Sequence, residues 1–144
     1  MQVKIKYCDP SVTPPKYATT GSAGLDLSAS IKEPVTVPAG GRALIPSGIA
    51  VAIPMGYAGF VFPRSGLSYK SGITMCNSVG VIDSDYTGEI KIAVHNISDQ
   101  DYTIHAGDRI AQLLFMPVGM AELIPCENLD ETKRGSGGFG STGR

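Results

Sequence analysis

Arg64-Ser65-Gly66 places a guanidinium, a hydroxyl and a glycine N–H side by side directly after Pro63. A planar guanidinium bonds phosphate oxygens in pairs, and glycine lets the backbone approach an anion closely, so the triplet has the makings of a phosphate cradle. Taken alone, its plainer reading is a Ser-Gly turn with a solvated arginine. In GVIDSDYTGE, Gly80 to Glu89, Asp83 and Asp85 flank Ser84 and precede Tyr86 at the end of an apolar run. If the strand continues, alternation sends both carboxylates to one side, which suits a site. Asp, Ser, Thr and Gly equally favour a hairpin turn. Asp26 in AGLDLSA and Gln112 in RIAQLLF each interrupt an apolar strand. A buried polar group there needs a partner, whereas a strand with one wet face can show it to water. Arg109, opening the second of these strands, reads as an ion-pairing residue.

From Asn128 onward apolar residues become rare, and five glycines fall between Gly135 and Gly143. Such a stretch buries too little apolar surface to offset the entropy of ordering, so alone it is expected to be disordered. Arg134 suits a phosphate and Phe139 suits a base, which makes a mobile lid over a nucleotide the alternative to a frayed end. The tail is no P-loop, because GxxxxGK[ST] occurs nowhere in the chain. His95 falls in a strand and His105 in a turn, with nothing local tying either to a nucleophile. Ligand pairs spaced as HxxxH or CxxC are absent from the sequence, so a divalent cation would be held mainly by substrate phosphates, as Mg²⁺ often is.

These groups need a scaffold. Eighteen glycines and ten prolines in 144 residues punctuate the chain at short intervals, which argues for many tight turns between short strands. Val3, Ile5 and Tyr7 alternate with lysines, and Ile90, Ile92 and Val94 alternate with Lys91 and Ala93, so both segments read as half-buried strands. Further strands are expected over 25–29, 43–53, 57–62, 79–82, 102–104 and 109–116. The SGLSYKS segment, Ser65 to Ser71, is the one place where a helix competes, with Ser65 as its cap. The expected fold is all-β: an antiparallel sandwich, jelly roll or closed barrel over residues 1–127, one short helix, and a glycine-rich arm over 128–144.

A composition of 42% hydrophobic and 17% charged residues fits one compact domain. With a formal net charge of −1 and no basic stripe, no nucleic-acid partner is expected. No run approaches the roughly 20 apolar residues of a membrane span, so no membrane partner is expected either. MQVKIKYCDP lacks the apolar stretch of a signal peptide, and Cys8, Cys76 and Cys126 are odd in number and far apart. A reducing cytoplasm is the expected location.

Taken together in order, AGLDLSA, PRSGLS, GVIDSDYTGEI, DRIAQLLF and RGSGGFGSTG resemble the five motifs of the trimeric deoxyuridine triphosphate nucleotidohydrolases (dUTPases), and they run from Ala23 to Gly143. One departure is Leu25, where many members of that family carry tyrosine; it bears on local packing. The resemblance implies a distorted jelly-roll homotrimer with sites shared between subunits. It would hydrolyse dUTP to dUMP and diphosphate, limiting uracil in DNA and supplying dUMP for thymidylate synthesis. It implies that Asp83 activates the water that attacks the α-phosphorus, and that Tyr86 packs on the deoxyribose and excludes a 2′-hydroxyl. Backbone groups of Gly80, Val81, Ile82 and Asp83, with Lys91, would bond the uracil edge, and Asn77 would help through a water. Arg64, Ser65, Gly66 and Gln112 would hold phosphates. Asp26 would lie near a phosphate-held Mg²⁺, through water. Arg134 would reach the γ-phosphate, Phe139 would stack over uracil, and Gly140, Ser141 and Thr142 would add phosphate contacts.

Two rivals follow. A dCTP deaminase is similar in fold but needs a catalytic glutamate on the strand after the third motif; Ala93 stands there, and Glu89 falls four residues early. A binding-only module would have no need of Asp83.

Overall fold

The computed structural model describes residues 1–138, so Phe139, Gly140, Ser141 and Thr142 lie outside the described residues. The chain forms short strands β1 (Lys4–Tyr7), β2 (Lys16–Tyr17), β3 (Leu25–Ser28), β4 (Val35–Val37), β5 (Arg42–Pro46), β6 (Ile49–Ala52) and β7 (Tyr57–Pro63), then helix α1 (Ser65–Ser71). Strands β8 (Ile73–Met75), β9 (Gly80–Ile82), β10 (Lys91–Asn96), β11 (Tyr102–Ile104) and β12 (Arg109–Pro117) follow. The largest sheet runs β2-β3-β12-β7-β9, a second runs β5-β10-β8, and β1-β6 and β11-β4 form two-stranded pairs. Every recorded pairing is antiparallel, and the expected all-β architecture is what the chain adopts.

The core is built from β-branched and leucine side chains: Leu27, Ile45, Ile49, Ile73, Ile90, Ile92, Ile104 and Leu113 are all at most 2% exposed. Burying each such side chain stabilises the fold by about 1.5–3 kcal/mol before entropy is counted. Along β10 the alternation is clean, with Ile92, Val94 and Asn96 inward. Asn96 is fully buried yet fully bonded. Its amide donates to the Val37 and Gln100 carbonyls at 3.0 and 2.7 Å, and its Oδ1 accepts from the Ser98 N–H and hydroxyl. That network ties the end of β10 to β4 without leaving an orphaned polar atom.

Three local details differ from the sequence expectations. β1 is exposed along its whole length, because it pairs at the rim with β6 and covers little core. The 43–53 run breaks into β5 and β6 at Ser47-Gly48, where Gly48 takes a φ of 71° that strands do not use. Ser65 is the first helical residue, and Arg64 occupies the cap position at φ −90°, ψ 126°. The reason is that the Arg64 carbonyl already accepts the first helical bond, from the Ser68 N–H at 2.9 Å. Gly72 ends the helix in the left-handed region at φ 66°, its N–H bonding the Ser68 carbonyl.

After β12 the chain forms no further helix or strand among the described residues, and 119–136 are exposed throughout. Met120, Leu123, Ile124 and Leu129 are each between 79% and 90% exposed.

Candidate active site

Strand β12 lies between β3 and β7, and the register decides what meets there. Gln112 stands opposite Asp26 on one side and Phe62 on the other, while Ala111 faces Pro63. Three segments distant in sequence therefore present Asp26, Arg64 and Gln112 at one end of the sheet. An irregularity in the ladder between Arg109 and Ala111 lets Arg109 turn back toward β3.

The Asp26 carboxylate is shared by two guanidinium groups. Arg64 Nε lies 3.3 Å from Oδ1, and Arg109 Nη1 donates to Oδ2 at 3.0 Å. Arg64 Nη1 also donates to the Arg109 carbonyl at 2.8 Å, so the Arg64 fork is gripped at two points and its remaining N–H groups are left for another acceptor. Gln112 Nε2 donates to the Pro63 carbonyl at 3.2 Å. Gly24 makes room for it, since a Cβ there would come within 3.0 Å of Gln112 Oε1 and 2.8 Å of Leu114 Cδ1.

The first turn of α1 carries no side-chain cap and no acidic residue, so its leading N–H groups lack partners from those sources. A Cβ at Gly66 would meet nothing within 4 Å, so packing within the chain does not demand glycine. The open approach suits an anion. An open cleft of about 610 Å³ adjoins this cluster, lined by Ser65, Gln112 and Thr74 together with the apolar Ala23, Phe62 and Leu114.

The second constellation sits at the other end of the sheet. β9 pairs with β7 through Gly80–Val61, Val81–Phe60 and Ile82–Gly59, and packing is tight enough that a Cβ on Gly80 would lie 3.3 Å from Val61 Cβ. The strand stops at Ile82. Asp83 opens a turn closed by the Tyr86 N–H on the Asp83 carbonyl at 3.1 Å, so strand alternation does not govern where Asp83 and Asp85 point. Both are exposed, and the Tyr86 hydroxyl donates to the Glu89 carbonyl at 2.9 Å. Asn77 is exposed in the β8–β9 turn, beside Ser78 at φ 59°. Lys91 opens β10 opposite Pro46, on a different sheet from β9.

Within one chain these two constellations do not meet. Asp83 follows Ile82, which pairs with Gly59, and Arg64 lies five positions beyond Gly59 along the β7 direction, roughly 17 Å at strand rise. Arg134 Nε donates to the Gly137 carbonyl at 2.7 Å within its own arm, and among the described residues it bonds to neither constellation. Sequence reasoning took Arg109 as an ion-pairing residue without naming Asp26 as its partner. It also gave Glu89 no place in the site. The pairing of RIAQ with GLD across one ladder was the missing information, and local composition does not carry it.

No cluster of three or more His, Cys, Asp or Glu side chains suited to a metal occurs among the described residues. Asp26 spends one interaction of each oxygen on a guanidinium. A carboxylate oxygen retains a further lone pair, so contact with a hydrated cation through water fits this donor set, and a protein cage does not.

An all-β body with a guanidinium, hydroxyl and amide cluster at one sheet end and a carboxylate–tyrosine hairpin at the other has the build of a jelly-roll enzyme. The dUTPase family model matches residues 11–143. The chain is 49% identical over 146 residues to the deoxyuridine 5′-triphosphate nucleotidohydrolase of Desulfitobacterium hafniense, covering 99% of this chain and 97% of that one. Among solved structures it is similar to a dUTPase variant of Staphylococcus bacteriophage 80alpha with dUpNHpp, at TM-score 0.91 and 27% identity, covering 99% of both chains. A dUTPase variant from phage phi11 of S. aureus, described for its coordination of a structural Mg(II) ion, aligns at TM-score 0.80 and 26% identity, over 89% of this chain and 98% of that one. The chain belongs to the dUTPase family.

Proposed function

We propose that this enzyme hydrolyses dUTP to dUMP and diphosphate in sites completed between subunits of a homotrimer. The observation that carries the reading is the Asp26-organised Arg64 beside Gln112 and the uncapped start of α1, in a chain that carries the Asp83–Tyr86 hairpin a strand's length away. Neither half is a site alone. Joining the hairpin of one subunit to the phosphate end of another makes one.

Support for assembly comes from the outer face of the large sheet. Leu113, Val61 and Ala111 point into the core, so the alternate residues Phe60, Phe62, Leu114 and Met116 lie on the opposite face, half-buried, and Val81 is 58% exposed. An apolar strip of this kind, part of which lines the cleft through Phe62 and Leu114, is suited to another protein surface.

In the assembled site the backbone of Gly80, Val81, Ile82 and Asp83 reads the uracil edge, and Asn77 assists through a water. Lys91, at the start of β10, lies outside the sheet of β9 within one chain. Tyr86 packs against the deoxyribose. Arg64, Ser65, Gly66 and Gln112 hold the phosphates. Asp83 takes a proton from the water that attacks the α-phosphorus. A carboxylate is a weak base, so alignment and charge neutralisation do most of the work, as phosphoryl chemistry generally requires. Mg²⁺, chelated by the triphosphate and touched by Asp26 through water, would neutralise charge on the phosphates when bound. The arm closes over the ligand, with Arg134 on the γ-phosphate and Phe139, Gly140, Ser141 and Thr142 continuing the cover. Excluding water strengthens each of these contacts.

Diphosphate release measured with dUTP, dTTP, dCTP and UTP tests the reading. Turnover of dUTP well above the other three is expected. Equal turnover of all four, or none, would sink it. Ammonia release from dCTP would point instead to a deaminase, which Ala93 argues against. No helix among the described residues is long and apolar enough to cross a membrane.

A further inference from the structure

We propose that Glu89 and Gly88 are positioning residues that fix the Tyr86 ring against the body of the fold, and so set how firmly the site rejects a ribonucleotide. The inference rests on the assignment of Tyr86 to the deoxyribose and extends it to residues that need not touch the nucleotide.

A ring can exclude a 2′-hydroxyl only if it does not yield. One extra hydroxyl is a small object, and a side chain free to tilt would accommodate it. Tyr86 is 44% exposed on a loop outside any strand, which by itself would leave it free to move. Two features remove that freedom. The hydroxyl donates to the Glu89 carbonyl at 2.9 Å. The ring lies across Gly88, where an added Cβ would come 2.6 Å from Oη, 2.7 Å from Cζ and 3.1 Å from Cε2. Gly88 does not take a positive φ. The ring, and not backbone conformation, is what requires a glycine there.

Glu89 is in turn fastened to the body. Its Oε1 accepts the Gly48 N–H at 2.8 Å. Gly48 cannot shift easily, since it is buried at φ 71° and an added Cβ would overlap Val12 Cγ2 and come 2.6 Å from Ser30 Oγ. The next residue, Ile90, is 1% exposed, and its N–H bonds the Ile49 carbonyl at 2.8 Å. The Ile90 carbonyl accepts both the Ser47 N–H at 3.1 Å and the Ser47 hydroxyl at 2.6 Å. The return leg of the loop is thereby held to the β5–β6 connection and the first residue of β6 by four hydrogen bonds, and the phenol hangs from that leg. The carboxylate of Glu89 serves as an acceptor for a buried amide, a task that a glutamine Oε1 can also perform.

The test is kcat/KM of the full-length enzyme for dUTP and for UTP, in wild type, Glu89→Gln, Glu89→Ala, Gly88→Ala and Tyr86→Ala. Glu89→Gln is expected to keep the wild-type dUTP:UTP ratio. Glu89→Ala and Gly88→Ala are expected to lower that ratio roughly tenfold or more, with UTP gaining relative to dUTP. A general loss of folding would reduce both substrates together and leave the ratio unmoved. Should Glu89→Ala fail to fold, Gly88→Ala carries the test, because Gly88 is exposed and outside the core. An unchanged ratio in folded Gly88→Ala overturns the proposal while Tyr86→Ala still lowers it. An unchanged ratio in Tyr86→Ala overturns the proposal together with the assignment of Tyr86 to the sugar.

Discussion

At the level of single residues, the Asp26 carboxylate between Arg64 and Arg109 separates stability from function. The two guanidinium side chains are 31% and 52% exposed, so the pairs are screened and contribute at most about 1 kcal/mol to folding. Their geometric role is larger, because Asp26 and the Arg109 carbonyl together aim the Arg64 fork. Replacing Asp26 by Asn is therefore expected to leave the melting temperature within a few degrees of wild type, while kcat/KM for dUTP falls roughly tenfold or more through misplacement of Arg64. Calorimetry alongside steady-state kinetics checks both halves. Asp83→Asn should behave differently: kcat drops by roughly 10²–10⁴-fold with binding retained, as expected for loss of a general base. A collapse of dUTP affinity with kcat preserved would remove Asp83 from that role.

Among the elements, α1 is short enough that its ends matter more than its interior. Gly72 closes it at φ 66°, and a Cβ there would come 2.7 Å from Ser98 Cβ and 2.9 Å from the Ser98 N. Gly72→Ala is expected to cost about 1–3 kcal/mol, from the left-handed backbone and the clash together. A drop in the urea midpoint at unchanged slope measures it. The sequence was most readable where alternation was regular. β7, β9, β11 and β12 fall within a residue or two of the expected spans, and so does the helix. β2, β4 and β8 were not anticipated; β2 has only two residues, too few for any alternation to register. Composition changes at Asn128, and the last strand among the described residues ends at Pro117; Met120, Leu123 and Ile124, which lie between, are exposed. At the site, motif order gave the residue types, but the ladder pairing Asp26 with Gln112 gives the contacts, and pairing is set by tertiary register.

For the whole molecule, the proposed sharing of sites makes complementation the natural measurement. Asp83→Asn and Arg64→Ala chains, each expected to be nearly inactive alone, should regain turnover when unfolded together and reassembled. About a quarter of sites would then combine an intact Asp83 with an intact Arg64 by random assortment. Failure of such mixtures to exceed either parent, with mixed trimers demonstrated, would return the site to a single chain. Truncation before Arg134 should leave assembly unchanged by sedimentation and abolish most turnover, since the body's strands end at Pro117.

The strand-length gap along β7 has a further consequence. A lone chain would carry part of two sites and the whole of none, so catalysis per chain would become a property of concentration. Near the dissociation midpoint the initial rate would climb more steeply than the amount of protein added, and dilution alone would switch the enzyme off without unfolding a single strand.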